Sequence, residues 1–177
     1  MRLFVAVFPT ARVQQALWRA AGSLPENPFR LTPPDRIHLT LKFLGESPQE
    51  SLLRLTRALE PLRDRAASFE ATVANLGVFP SPRRARILWA GIGEGSERLV
   101  TLAETVETLL DPEGFARERK PFVPHLTLGR ARRPKPFDPS GTTLPDLSFT
   151  VGSVDLVHSE HTREGVAYST VEKYGFV

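Results

Sequence analysis

The sequence predicts an α+β protein of two lobes, made by duplicating one unit about a pseudo-twofold. Three observations predict it. The tetrapeptide His-Leu-Thr-Leu occurs at His38–Leu41 and again at His125–Leu128, in a chain with only 4 histidines. Each copy closes the same succession of strand, helix and strand, once over 3–44 and once over 87–129. Two such units are too few and too long for a solenoid, and 177 residues suit a single two-lobed domain, 1–177.

The elements follow in order. Leu3–Phe8 is a continuous apolar run and reads as a buried strand. Thr10 is an N-cap for a helix through Ala21, with Val13, Ala16, Leu17 and Ala20 at helical spacing and Gly22 as its stop. A loop rich in proline (Pro25, Pro28, Pro33, Pro34) leads to a strand over Ile37–Leu44. Ser47-Pro48-Gln49-Glu50 reads as a capping box, followed by a helix with Leu52, Leu55, Leu59 and Leu62 as its stripe. Strands are expected at Phe69–Leu76 and Arg86–Ile92. Ser96 caps a third helix carrying Leu99, Leu102, Ala103, Val106 and Leu109 on one face, ended by Asp111–Gly114. Phe122–Gly129 is the strand of the second tetrapeptide, and 131–146 reads as a long loop. Two closing strands, near Phe149–His158 and Ala167–Phe176, flank a polar turn at Glu160–Gly165.

The tetrapeptide carries chemistry because a strand alternates its faces. His38 and Thr40 share one face, as do His125 and Thr127, each pair above an apolar floor of leucines. Across one cleft, one imidazole can take a proton while the other gives one, both near neutral pH. The two hydroxyls can donate to the oxygens of a bound anion. Phosphoryl transfer needs those parts. Lys42 falls on the face of His38 and Thr40 by alternation, as added positive charge for substrate or as a rim lysine. Arg130 and then Arg132 are the first choices for a further phosphate contact. Parity puts Arg130 on the face opposite His125 unless the strand ends or bulges near Gly129. His158 and His161 have no companion motif and read as exposed turn residues.

Composition excludes several classes. With no cysteine, disulfides and thiolate metal sites are out. No acidic residue stands in either tetrapeptide, and no zinc-protease or serine-elbow pattern occurs, so no cofactor or metal is expected. The apolar N-terminus is too short for a signal sequence, and no stretch is long enough to span a bilayer; a cytoplasmic protein without membrane contact is expected. Net charge is +3, and only Lys42, Lys120, Lys135 and Lys173 among 23 basic residues are not arginine, the residue whose planar fork suits phosphate. Of three basic clusters, Arg83–Arg86 and Arg117–Lys120 read as solvated loops. The third, Arg130–Lys135, follows the second tetrapeptide directly and reads as facing phosphate.

These segments carry a family likeness. The chain resembles the two-histidine phosphoesterase superfamily. It is more closely similar to the 2′-5′ RNA ligase family, also called RNA 2′,3′-cyclic phosphodiesterases. The likeness rests on Arg2–Val7, His38–Gly45, Arg86–Ile92 and Pro124–Arg130. The resemblance implies antiparallel sheets with helices outside and a central cleft. It implies hydrolysis of RNA 2′,3′-cyclic phosphate ends to 2′-phosphomonoesters, with His38 as proton donor, His125 as proton acceptor, and Thr40 and Thr127 on the phosphate oxygens. The expected partner is tRNA-like RNA with a 2′,3′-cyclic phosphate terminus, without an obligate protein partner, and reversible 2′-5′ ligation is a further activity of the family. Two other functions are compatible with the residues. One is a non-catalytic module that holds RNA-end phosphates, with Phe79 and Trp89 as stacking candidates. The other is a cyclic phosphodiesterase acting on small nucleotides.

Overall fold

The computed structural model describes residues 1–177. Nine strands and four helices follow in chain order: β1 (Arg2–Val7), α1 (Ala11–Gly22), β2 (Arg30–Leu31), β3 (Leu39–Glu46), α2 (Leu52–Leu59), α3 (Leu62–Arg65), β4 (Phe69–Phe79), β5 (Ala85–Ile92), α4 (Ser96–Leu110), β6 (His125–Lys135), β7 (Ser148–Val151), β8 (Ser153–Thr162) and β9 (Gly165–Gly175). They form two sheets, of order β3-β1-β8-β9 and β2-β6-β5-β4-β7, with every pairing antiparallel. No helix is long and apolar enough to cross a membrane.

Each sheet is built around the strand pair of one repeat and takes a strand from the other half of the chain. β1, paired with β3, also pairs with β8 from the end of the chain, and β5, paired with β6, also pairs with β4, which precedes it. The lobes are therefore not the two halves of the sequence. One continuous core joins them: Val5, Leu17, Leu39 and Leu156 belong to the same buried cluster as Leu88, Leu99, Leu126 and Phe149.

The helices bury the faces that their spacing marks. α4 buries Leu99, Leu102, Ala103, Val106 and Leu110, so the stripe ends one residue beyond Leu109. In α1 the side chain of Thr10 accepts from the Val13 amide, and buried Gln14 donates to the Ile37 carbonyl at 2.9 Å, tying the helix to the residue before His38.

Four expectations are corrected. The box at Ser47 does not form: a 3-10 turn at Gln49–Ser51 precedes α2, and the Ser47 hydroxyl is buried without a partner. Ser96 is the first residue inside α4, with Gly95 as the cap. The loop expected after 131 is strand as far as Lys135, because Ala85 pairs with Lys135 and extends the ladder. The closing strand expected at Phe149–His158 is two strands that break at Gly152 and serve different sheets. Alternation along a sequence cannot reveal a change of sheet partner, since both pieces keep a buried face.

Candidate active site

Both histidines sit where their strands begin, and both use the same local device. The Nδ1–H of His38 donates to the Arg36 carbonyl at 2.7 Å, and that of His125 to the Val123 carbonyl at 2.8 Å, each two residues upstream. A carbonyl only accepts, so the proton of each neutral ring lies on Nδ1 and the lone pair on Nε2. The side of the ring that does chemistry is thus fixed by the backbone before it.

The surroundings then differ. His38 is enclosed by Phe4, Phe8 and Tyr168, with ring centroids 4.9, 5.4 and 5.4 Å away. Its Nε2 accepts the Thr40 hydroxyl at 3.0 Å. Burial lowers the pKa of His38 below 6.5; the Arg36 carbonyl opposes this, and the charges of Arg130 and His125 add to the lowering. β3 and β6, the strands that carry the two tetrapeptides, approach each other, and the charges of His125 and Arg130 both reach His38. His125 packs edge-on against Phe79 at 5.2 Å, and Phe79 stacks on Trp89 at 5.0 Å. A Cβ at Gly77 would stand 2.1 Å from the Trp89 ring, so only glycine lets the indole lie there.

Alternation fails at the same place in both tetrapeptides, at the final leucine. Ala6 pairs with Thr40 and Val5 with Lys42, which leaves Leu41 as an extra residue. Trp89 pairs with Thr127 and Leu88 with Gly129, which leaves Leu128 extra. Each bulge inverts the parity of the residues beyond it. Arg130 thereby turns to the side of His125 and Thr127, as a bulge near Gly129 requires. Gly129 is needed for it: a Cβ there would meet Phe29 at 2.9 Å and the Arg30 carbonyl at 3.0 Å, in the edge strand β2.

The same inversion removes Lys42 from the groove. Lys42 is buried, 4% exposed, with Nζ 2.5 Å from Glu107 on α4 and 2.9 Å from the Ala116 carbonyl. It is neither a substrate contact nor a rim lysine. Phe43 takes its place on the groove side, 65% exposed and 6.3 Å from Phe4. Strict parity sends Phe43 to the floor, which is why its exposed position is not legible in the sequence. Arg132 is exposed beyond the second bulge, His158 is half-buried within β8, and His161 is exposed on the β8–β9 hairpin. Tyr168, also missed, borders His38 and lies near Arg36, Arg130 and Arg2; burial raises its pKa against the pull of those charges.

Fold and site together define a class: a two-sheet α+β protein in which two neighbouring strands each carry a backbone-oriented imidazole. The chain belongs to the 2′-5′ RNA ligase superfamily, whose sequence profile matches residues 8–163. It is 37% identical over 179 residues to the RNA 2′,3′-cyclic phosphodiesterase of Thermus thermophilus, covering 98% of this chain and 89% of that protein. It is 30% identical over 170 residues to the protein of that name from Methanothermobacter thermautotrophicus, covering 93% and 89%. Among solved structures it is similar to TT0787 of Thermus thermophilus, with TM-score 0.86, 33% identity and 99% and 97% of the two chains covered. The Escherichia coli LigT complex with 3′-AMP matches with TM-score 0.79 at 26% identity, over 99% and 98%. With phosphodiesterase relatives spanning nearly its whole length, the protein is an enzyme of the hydrolase class.

Proposed function

We propose that the protein hydrolyses RNA 2′,3′-cyclic phosphate ends to 2′-phosphomonoesters by acid–base catalysis between His38 and His125, without a metal. The observation that carries this reading is the pair of backbone-oriented imidazoles around one groove with Arg130, in a chain related end to end to proteins of that name. His125 takes a proton from water through its free Nε2. The water oxygen attacks phosphorus, the bond from phosphorus to the ribose 3′-oxygen breaks, and His38 delivers a proton to that oxygen. Thr40, Thr127 and Arg130 hold the non-bridging oxygens, whose negative charge concentrates as the bond breaks. A 5′-hydroxyl in place of water gives a 2′-5′ linkage by the same proton movements. A tRNA-like end presents the same cyclic group.

His38 is held neutral in the free protein and must gain a proton to act as donor. The arriving phosphodiester anion supplies that change, because it offsets the charges of Arg130 and His125 and competes for the Thr40 hydroxyl. A second reading exchanges the two roles. Its support is the burial that favours neutral His38, the resting state of a base.

The experiment uses a 2′,3′-cyclic nucleotide and its analogue with sulfur at the 3′ position, a leaving group that needs no acid. His38→Ala and His125→Ala are each expected to lose about 10²- to 10⁴-fold in turnover of the oxygen substrate, with the fold retained by circular dichroism and wild-type activity unaffected by EDTA. The sulfur substrate is expected to rescue His38→Ala alone. Rescue of His125→Ala alone reverses the roles, and wild-type rates in either variant end the acid–base reading. Binding without product in the wild type favours the non-catalytic module.

A further inference from the structure

The pairing of β5 with β6 brings together two basic clusters that lie far apart in the chain. Arg83 and Arg84 end a 3-10 turn that leads into β5, and Arg86 lies within that strand. Arg132, Arg133 and Lys135 lie on the extension of β6. Ala85 pairs with Lys135 and Ile87 with Arg130, and the Phe137 amide donates to the Pro82 carbonyl at 2.8 Å, closing the corner. All six of these cations are exposed. None takes part in an ion pair, and neither β5, β6 nor the turn contains an aspartate or glutamate. On the β8–β9 hairpin, by contrast, Glu160 and Glu164 stand beside Arg163 in the chain.

Between this corner and His125 lies a hollow of about 380 Å3. Phe79, Pro80 and Ile87 form its apolar side, and Arg86 and Arg130 flank it. Arg130 therefore belongs both to the groove and to the basic corner, so the positive surface is continuous from the reacting phosphate outward.

We infer that this corner is the track for the RNA body, a single strand entering across the hollow and running over Arg83, Arg84, Arg133 and Lys135. The inference rests on the cyclic phosphodiesterase reading and specifies its substrate as a polymer. A 2′,3′-cyclic phosphate occupies both hydroxyls of the last ribose, so the rest of the chain leaves only through the 5′-oxygen, in one direction. Its backbone phosphates need unpaired cations on that side alone. The apolar floor between two guanidinium groups suits the base of a nucleotide passing over it.

The test compares a cyclic mononucleotide with a single-stranded oligomer ending in the same cyclic phosphate. The enzymes are the wild type and a variant combining Arg83→Ala, Arg84→Ala, Arg133→Ala and Lys135→Ala. The variant is expected to lose about tenfold or more in kcat/KM on the oligomer, with mononucleotide turnover unchanged. Its plot of log kcat/KM against log salt is expected to flatten by about 0.7 for each phosphate it no longer neutralises. Equal kcat/KM and equal salt slopes for the two enzymes on the oligomer would overturn the track. So would phosphatidylserine vesicles that compete with the oligomer for the wild type at equal charge concentration. A wild type that hydrolyses neither substrate fails the underlying reading instead. Circular dichroism of the variant, whose changed side chains are all exposed, checks the fold.

Discussion

His38 shows how one residue type acquires a distinct state from its neighbours. Its twin, His125, makes the same Nδ1 contact, yet only His38 is walled in by three aromatic rings and bonded by a threonine hydroxyl. Because burial depresses its pKa, the unfolded chain binds this proton more readily than the folded one. The stability that neutral His38 contributes is present above pH 6.5 and is lost as pH falls below it, through the lowered folded value. Melting temperatures between about pH 7.5 and 5 are therefore expected to fall more steeply for the wild type than for His38→Gln. Parallel pH dependences in the two proteins would contradict this.

At the scale of the strand, the bulges at Leu41 and Leu128 decide to which face the residues just beyond them turn. Period-two alternation carries His38, Thr40, His125 and Thr127 correctly, because those pairs lie before the extra leucine. It misplaces Lys42 and Arg130, which lie beyond it. No residue type in His-Leu-Thr-Leu demands a bulge, so its position follows from the pairing partner. The inverted Lys42 becomes the buried half of an ion pair with Glu107, which is partly exposed. Lys42→Ala leaves that half-buried carboxylate without its partner, and a loss of about 1–3 kcal/mol in unfolding free energy is expected. KM for the cyclic phosphate is expected to stay within about twofold of the wild-type value, since the side chain lies outside the groove. A large rise in KM with unchanged stability would return Lys42 to the groove.

The whole molecule is held by the exchange of strands between the two halves of the chain. β4 of the first half is a central strand of the second sheet, and β8 of the second half is a central strand of the first. A fragment of residues 1–80 therefore has β4 without β5, and a fragment of 81–177 has β8 without β1. Each would leave apolar faces such as those of Leu156 and Leu76 uncovered. Neither fragment is expected to give a cooperative melting transition alone, whereas the two mixed are expected to regain one. A cooperative transition in either isolated fragment would contradict the account.

The sequence by itself determined the duplicated unit, the elements up to β6 apart from β2 and the break between α2 and α3, and the paired His-x-Thr faces. These depend on local periodicity and on a repeated motif, which are written in neighbouring residues. Only the tertiary structure decided which sheet each strand enters, where the ladders bulge, that Phe43 and Arg130 rather than Lys42 face the groove, and that two distant arginine clusters meet at one corner. Those outcomes depend on hydrogen-bond register between strands far apart in the chain, and a slip of one residue in register turns a side chain to the opposite face.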